Sequence, residues 1–447
     1  MGRSNRGILE VVMMCAVVFC FVGPAHAQHG SLNVNLYHQV TLRDFSASYA
    51  MDCWGYVSDS GREYALVGLS SGTAFVEITD PSNPVIVAQI GHSRGGKDMK
   101  VYEDYAYVTQ DSGPLQVIDM SDIDNGNVTL VRSLSTGAHN LIVNEDSGFL
   151  YRCNGQGLSA MSLANPANPT AQGNRWRGEC HDAQIVNYTE GPYAGKEIAF
   201  IFAGWSNNLD IVDVTDKSNT VLLSRRGYSG SGYTHNGWLS ADRQYLYLSD
   251  ELDEIDGHTD VTLTFVWDVA DLSNPFLVDT FTSGLAATDH NLYIRDGFVF
   301  QANYKGGMHI FDIQADPINP PLVGYYDTYP SSDSNGYDGG AWTTYPFFPS
   351  GTVIVSDQDG GLFILDPREA TTRGCTRSPE WVCDGDVDGD GQVNPVDSGL
   401  VQAAFGSTDD QDLCNYDVDC DGQINPVDSG IVQSLFGTCE EPRSVCP

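Results

Sequence analysis

The sequence predicts an all-β protein, a seven-bladed β-propeller followed by a small C-terminal helical domain. Apolar and polar residues alternate with a period of two through residues 28–370, where helical periodicity is almost absent. A short sequence pattern recurs through this region. In this pattern a strand ends in Asp, and a turn containing Asn-Pro leads to the next strand. Good copies occupy residues 74–90, 209–226, 265–281 and 308–326. The repeats are about 41 to 55 residues long, which is typical of propeller blades with four short strands.

Seven repeat units can be counted, and their ends predict how the ring closes. The units begin near residues 53, 97, 138, 180, 234, 289 and 341. The last unit stops after its third strand, at Pro367, whereas the segment 33–42 precedes the first unit. An open ring would leave unpaired sheet edges, so we expect this N-terminal segment to supply the missing outer strand.

The repeated phrase resembles the LVIVD repeat, and residues 33–367 resemble the choice-of-anchor B family of secreted bacterial propellers. That family is named for carrying different C-terminal attachment modules. The resemblance implies the propeller fold and export, and it implies no particular catalytic activity.

Two nearly identical acidic segments, DVDGDGQVNPVD and DVDCDGQINPVD, begin at Asp386 and Asp417. Carboxylates at positions 1, 3, 5 and 12, with Gly at position 6, are the pattern of a Ca²⁺ loop, in which oxygen ligands converge on the ion. The sequence therefore predicts two Ca²⁺ sites. The expected ligands are Asp386, Asp388, Asp390, the carbonyl of Gln392, Asn394 and Asp397 in the first loop, and Asp417, Asp419, Asp421, the carbonyl of Gln423, Asn425 and Asp428 in the second.

Each loop runs into one apolar helical stripe that ends at a glycine, Gly406 or Gly437. Two such loop-helix units, over about residues 384–437, resemble a type I dockerin, the module that docks enzymes and adhesins onto cohesin receptors. The resemblance implies Ca²⁺ binding and a cohesin-like or other surface receptor as partner. The chain has Pro395–Val396 and Pro426–Val427 where dockerins usually carry the hydroxyl or charged residues that contact cohesin.

The N-terminus and the charge restrict the location and the partners. Residues 1–27 are typical of a signal peptide, with an apolar stretch and a small-x-small cleavage sequence at Ala25-His26-Ala27. No later segment is long and apolar enough to predict a membrane span, so we expect a secreted or surface-attached protein. Residues 371–383 form the expected linker, and residues 384–447 form the dockerin-like module. A formal net charge of −37 argues against nucleic acid and anionic membranes as partners.

The inner strands of a propeller line its central channel, and their first residues form a circle at one rim. Four successive units place a histidine there, namely His139, His181, His235 and His290, with Asp98 and Asp182 nearby. One interpretation is a pocket in which imidazoles bind a metal or an anionic ligand. The alternative is a histidine inherited by duplication that hydrogen-bonds the neighbouring blade, and we expect no stoichiometric transition metal. Cys153 ends one strand and Cys180 begins the next blade, so a disulfide is expected at this rim.

Two further features admit more than one interpretation. The acidic stretch 249–260 could hold another Ca²⁺ or supply acid/base carboxylates, but it lacks Ca²⁺-loop spacing, which favours a solvated loop. The aromatic side chains of Trp54, Trp205, Trp238 and Trp342 could stack on sugar rings, and packing between blades is the favoured interpretation.

Taken together, these patterns predict a secreted propeller that acts as a binding or interaction domain for a protein or polysaccharide ligand. A calcium-dependent dockerin-like module would display it. The alternative is a polysaccharide lyase or glycoside hydrolase with its site at the histidine-lined mouth of the channel, attached to polysaccharide-degrading machinery. Exposing the chain to acidic polysaccharides and measuring both binding and depolymerisation would separate the two.

Overall fold

The computed structural model describes residues 30–92, 95–110, 113–372 and 395–403, together with positions 405, 426, 429 and 433. Within these residues the chain forms seven antiparallel sheets, which confirms the all-β propeller with seven blades. The innermost strand of each blade contacts the innermost strand of the next, and that of the seventh blade contacts that of the first, so the ring is closed. Within the described ranges, no helix is long and apolar enough to cross a membrane.

The strands are short and follow each other in chain order. The N-terminal strands and the first three blades comprise β1 (Ser31–Leu32), β2 (Asn35–Val40), β3 (Ala50–Val57), β4 (Glu63–Leu69), β5 (Gly72–Glu77), β6 (Val85–Gly91), β7 (Asp98–Tyr102), β8 (Tyr105–Thr109), β9 (Leu115–Asp122), β10 (Asn127–Leu134), β11 (Asn140–Asn144), β12 (Phe149–Cys153), β13 (Leu158–Ser162) and β14 (Thr170–Trp176). The last four blades comprise β15 (Asp182–Tyr188), β16 (Lys196–Phe202), β17 (Asn208–Asp213), β18 (Val221–Gly227), β19 (Thr234–Leu239), β20 (Tyr245–Asp250), β21 (Thr264–Asp268), β22 (Phe276–Phe281), β23 (Leu292–Arg295), β24 (Phe298–Ala302), β25 (Met308–Asp312), β26 (Leu322–Tyr326), β27 (Ala341–Tyr345), β28 (Val353–Asp357) and β29 (Gly361–Asp366). The helices are α1 (Leu42–Phe45), α2 (Arg368–Thr371) and α3 (Pro395–Ala403), with 3-10 turns at Ile123–Asn125 and Gly191–Tyr193.

The ring is closed by the N-terminal segment, as the sequence predicts. Strand β2 pairs antiparallel with β29, with Asn35 opposite Asp366 and Val40 opposite Leu362. The shorter β1 pairs with β26 and adds a fifth strand to the sixth blade, which the sequence did not predict. The N-terminal segment therefore joins two neighbouring blades as well as completing one of them.

The recurrent Asp-Asn-Pro phrase forms the turn between the third and fourth strands of a blade. In each good copy an aspartate carboxylate accepts a hydrogen bond from a backbone N–H two residues later, a geometry that stabilises a tight turn. The four donors and acceptors are Ser82 to Asp80, Ser218 to Asp216, Ser273 to Asp271 and Ile318 to Asp316, at 2.8 to 3.1 Å. These turns set the spacing of the outer strands and thus the register of each blade.

Apolar side chains from adjacent blades pack in the wedges between the sheets. The described residues form seven buried clusters, one for each interface between neighbouring blades. Phe45, Cys53 and Ile354, for example, share the cluster between the seventh blade and the first. Because each wedge needs a blade on both sides, burial in this fold depends on closure of the ring.

The C-terminal region contributes a small network of hydrogen bonds that relates the two acidic repeats. Ser398 in α3 and Ser429 are both buried, and their hydroxyl groups lie 3.0 Å apart. The amides of Gln402 and Gln433 each donate to both serines, at 2.8 to 3.2 Å. The two serines are 31 residues apart, as are the two glutamines, so equivalent positions of the repeats meet. The side chains of the predicted calcium ligands lie outside the described residues.

Candidate functional site

The four rim histidines lie side by side at one end of the channel. His139 and His181 directly precede the inner strands of their blades, His290 lies two residues before β23, and His235 lies at the start of β19. Successive ring centroids, from His139 to His290, are 4.8, 4.2 and 4.2 Å apart. We call these four rings the imidazole arc. The structure thus brings together every histidine that the repeat pattern had placed at the rim.

Two rings of the imidazole arc, those of His181 and His290, bond to the next blade through one nitrogen atom. Nδ1 of His181 lies 2.9 Å from the carbonyl oxygen of His235, and Nδ1 of His290 lies 2.5 Å from that of Trp342. A carbonyl only accepts, so Nδ1 carries the proton and Nε2 of a neutral ring keeps its lone pair. The histidines therefore link blades, as one interpretation expected, and they also offer ligand atoms, since metal-binding imidazoles commonly donate their other N–H in this way.

Three rings of the imidazole arc, those of His181, His235 and His290, have lowered pKa values and are neutral at physiological pH. Burial, together with the neighbouring imidazoles, holds the pKa of His181 and of His235 well below the usual value. Burial likewise lowers the pKa of His290 to about 3. Neutral imidazole is the form that binds metal ions, so these three rings can bind a cation without first losing protons.

Glu251, directly after β20, completes a possible metal site with two of these rings. Its carboxylate oxygens lie 3.5 Å from Nε2 of His235 and 3.9 Å from Nε2 of His290. The ligand atoms of these three residues all lie within 4.8 Å of one another. The hydroxyl of Tyr304 donates to Glu251 Oε1 at 2.6 Å and fixes the orientation of the carboxylate. Two imidazoles and one carboxylate suit a divalent transition metal.

The predicted candidates Asp98 and Asp182 line the same cavity, but their carboxylates hold blades together. Asp98 accepts from Lys100 and Met99 within its own blade and from the backbone N–H of Leu141 in the next. Asp182 accepts from the amide of Asn236 at 2.8 Å, again across a blade interface. Burial, followed by the nearby charge of Asp98, raises the pKa of Asp182 to about 6.

The arc and the acids below it enclose a cavity with about 310 Å³ of space, part of which is open to solvent. Its walls are strongly polar and carry both signs of charge. The lining residues are Asp52, Lys97, Asp98, Lys100, His139, Asn140, His181, Asp182, His235, His290, Asn291, Tyr293 and Trp342. Such a cavity suits a polar ligand better than an apolar one.

Three of the four tryptophans pack against other aromatic rings, whereas the fourth is largely exposed to solvent. Trp54 and Trp238 both pack against Tyr293 and Phe347, and Trp342 packs against His290, in agreement with the packing interpretation. Trp205 instead is 67% exposed, so the packing interpretation is wrong for this residue.

Trp205 stands at the edge of the channel mouth. Its ring lies 4.9 Å from that of Tyr233, which in turn lies 5.0 Å from His181. The carboxylate of Glu179 accepts from the Trp205 backbone N–H at 3.1 Å and from the Ser206 hydroxyl at 2.6 Å, which holds this turn in place. An exposed aromatic ring is thereby fixed beside the polar cavity.

The acidic stretch 249–260 departs from the expectation of a solvated loop. Asp256 and Asp260 are exposed, but Asp253 and Glu254 are buried, with 0% and 3% of their surface accessible. Asp250 is also buried, and it accepts hydrogen bonds from the Tyr228 hydroxyl and from the backbone of Gly232. The period-two pattern gave no signal of this burial, because the stretch lies between strands.

Cys153 and Cys180 form a disulfide bond next to the arc, with their Cα atoms 5.1 Å apart. The bond joins the end of β12 to the residue before His181 and so connects the third blade to the fourth. The thiol of Cys53 is buried and free, and burial raises its pKa.

Comparisons with known proteins identify both parts of the chain. Residues 384–436 match the dockerin type I domain, and residues 93–136, 199–225 and 290–328 match the LVIVD repeat. These matches confirm the two modules that the sequence predicts. No curated protein matches the chain. The fold is similar to the crystal structure of a functionally unknown protein from Desulfotomaculum acetoxidans DSM 771, with 13% identity, a TM-score of 0.48, and coverage of 64% of this chain and 87% of that one.

Proposed function

We propose that this chain is an exported binding protein whose propeller binds a polysaccharide at the channel mouth and whose dockerin attaches it, in a calcium-dependent manner, to a cohesin-bearing receptor. The observation that carries the proposal is the exposed ring of Trp205, held beside the polar cavity of the imidazole arc. The dockerin supports the second half, because dockerin domains bind cohesins.

The chemistry of the mouth favours a sugar ligand. A sugar ring has an apolar face, which an exposed aromatic ring can cover, and a rim of hydroxyl groups, which need hydrogen-bond donors and acceptors. Trp205 offers the aromatic face, and the cavity beside it offers imidazole nitrogens and the ammonium of Lys97. Tyr337, 59% exposed in the loop before β27, is a second exposed aromatic ring of the propeller.

The attachment rests on the two acidic loops. Each would hold one Ca²⁺ through the carboxylates that begin at Asp386 and Asp417, and their mutual repulsion would keep the loops from folding without the ion. The apolar segment within residues 1–27 would direct the chain out of the cell.

The sugar-binding half is tested with the full mature chain against a panel of immobilised neutral and acidic polysaccharides. We expect Trp205→Ala to weaken retention on the bound polysaccharide at least tenfold while the melting temperature stays the same. Phe276→Ala is the matched control, because Phe276 is 55% exposed in β22, the outermost strand of its blade. Equal retention of the two variants would contradict the proposal.

The attachment half is tested with a panel of cohesins. We expect binding in Ca²⁺, release by a chelator, and no binding by the variant Asp386→Asn with Asp417→Asn. Cohesin binding that is indifferent to calcium would contradict it.

A second candidate function, a polysaccharide lyase or glycoside hydrolase, is favoured by the donor set of His235, Glu251 and His290. A divalent metal there would neutralise the carboxylate of an acidic sugar. Elemental analysis of protein purified without chelator, together with a depolymerisation assay, distinguishes the two. Stoichiometric transition metal and shortened chains would establish the enzyme, whereas binding without either would establish the first candidate.

A further inference from the structure

Three buried carboxylic side chains meet at the boundary between the fifth blade and the sixth. Asp253 and Glu254 belong to the connection 251–263 between β20 and β21, which we call the acid loop, and Asp289 precedes His290 in the next blade. All three are buried, with 0%, 3% and 0% of their surface accessible. We call them the carboxylate cluster.

The cluster lacks the donors that buried carboxylates normally have. Among the described residues, both oxygens of Asp253, both oxygens of Glu254 and Oδ1 of Asp289 have no hydrogen-bond partner. The nearby carboxylate of Asp250, by contrast, accepts hydrogen bonds from Tyr228, Gly232 and Tyr233. The amide of Gln301 lies 3.4 Å from Asp289 Oδ2, at the long end of hydrogen-bonding distance.

The spacing of the oxygens fits a single cation. One oxygen from each of the three residues lies within 4.8 Å of the others. Oxygen ligands stand 2.3 to 2.6 Å from Ca²⁺, so two ligands of the same ion are at most about 5 Å apart. A site made of carboxylates alone, without imidazole or thiolate, prefers a hard cation such as Ca²⁺ to a transition metal.

We propose that Asp253, Glu254 and Asp289 bind one Ca²⁺, which fastens the acid loop of the fifth blade to the sixth blade. The ion supplies the positive charge that five partnerless carboxylate oxygens need in a buried place. It also positions Glu251, which lies two residues before Asp253 and faces His235 and His290.

Without a cation the cluster would have to hold protons. Burial and mutual repulsion raise the pKa of Asp253 and of Glu254 to about 10, and burial with the charge of Asp253 and Asp250 raises that of Asp289 as well. Shared protons are therefore the competing explanation for the cluster. The two explanations differ because a cation site becomes more rigid when Ca²⁺ is added, whereas a cluster that shares protons does not respond to Ca²⁺.

Hydrogen–deuterium exchange of the full mature chain tests the proposal locally, with Ca²⁺ itself as the probe. Peptides that cover residues 251–263 and 285–291 should exchange at least tenfold more slowly in Ca²⁺ than after chelation. Because the readout is resolved by peptide, calcium bound by the dockerin does not interfere. Unchanged exchange in both peptides would overturn the proposal, whatever happens at the C-terminus.

Ion counting with a matched pair of variants gives an independent test. Asp253→Asn with Glu254→Gln keeps the shape of the site and removes two charges, whereas Asp256→Asn with Asp260→Asn changes two exposed acids of the same loop. After chelation and reloading at pH 8, the first variant should hold one Ca²⁺ per chain fewer than the wild type, and the control should hold as many. Equal content in all three proteins would overturn the proposal. If the first variant does not fold, exchange in the wild type decides.

Discussion

Polar side chains at the repeated inner-strand positions form hydrogen bonds to the next blade, whereas two buried acids of the acid loop form none within the described ranges. At equivalent positions of six blades, an Asp or Asn side chain bonds to the following blade. The pairs are Asp52 with Met99, Asp98 with Leu141, Asn140 with His181, Asp182 with Asn236, Asn236 with Leu292 and Asn291 with Trp342. In the acid loop, Asp253 and Glu254 are just as buried but have no such partner among the residues described. In this ring, the repeated Asp and Asn side chains join blades, whereas the acids proposed to bind cations, Glu251, Asp253 and Glu254, stand at positions that do not recur.

The largest effect on stability is expected from opening the ring, because the hydrogen bonds between blades depend on its closure. Deleting residues 28–43 removes β1 and β2, so that β26 and β29 lose their partners and Val34 and Val40 leave buried clusters. We expect a loss of at least about 5 kcal/mol, which is the scale of the stability of a whole domain. Deleting residues 371–447 removes none of the propeller strands that the structure describes, and it should cost far less. Equal melting temperatures of the full chain and the N-terminal deletion would contradict closure by these strands.

The next effect concerns a single joining residue. Asp98→Ala leaves Lys100 buried without its carboxylate and leaves the N–H of Leu141 in the next blade without an acceptor. Breaking a buried ion pair in this way costs about 3 to 5 kcal/mol. The matched control Asp59→Ala, at an exposed position, should stay within about 0.5 kcal/mol of the wild type in denaturant unfolding. A small loss for Asp98→Ala would show that repetition alone does not identify joining residues.

The sequence predicted the ring well because its evidence was periodic. Strand alternation, the Asp-Asn-Pro turn and the spacing of seven units gave the blades, and the missing strand of the last unit gave the closure by residues 33–42. The positions of the four histidines followed from the same count. Each of these inferences depended on a residue recurring at a regular interval, and duplication preserves such intervals.

The site could be predicted only in part, because its remaining members do not recur. Glu251 reaches His235 and His290 because it directly follows β20, and only the fifth blade has an acid there that faces the arc. The burial of Asp253 and Glu254 depends on how a thirteen-residue connection folds over the next blade, which local patterns do not encode. The exposure of Trp205 likewise depends on a turn held by Glu179 from another loop.

A pH series tests the effect of burial on Asp182, one of the acids that bond to the next blade. The folded protein raises the pKa of Asp182 to about 6, mainly by burial, against an ordinary value of 3.8. Between these two values the folded state holds the proton more tightly than the unfolded state, so stability falls as pH rises from about 4 to 6. The shift corresponds to at most about 3 kcal/mol. Asp182→Asn cannot titrate, so its unfolding free energy, measured against the wild type from pH 4 to 7, should lack this fall.

The smallest change in stability, and the sharpest functional contrast, is expected at Glu251. Glu251→Gln keeps the acceptor for the Tyr304 hydroxyl and removes a carboxylate whose pKa burial raises, so the unfolding free energy should change by less than about 1 kcal/mol. If a transition metal binds here, the substitution removes one of its three ligands, and the metal content of protein purified without chelator should fall with it.

His181→Ala is the counterpart of this substitution. It removes a hydrogen bond between blades and leaves the three candidate metal ligands, His235, Glu251 and His290, unchanged. The substitution removes the bond from Nδ1 to the carbonyl of His235, which should cost roughly 1 to 3 kcal/mol. Any metal held by His235, Glu251 and His290 should remain. If Glu251→Gln changes the metal content and His181→Ala changes the stability, the arc joins blades through Nδ1 of His181 and His290 and offers ligands through Nε2 of His235 and His290. Equal metal content in the wild type and Glu251→Gln would assign the arc to the joining role alone and leave the polysaccharide-binding function as the better account of the mouth.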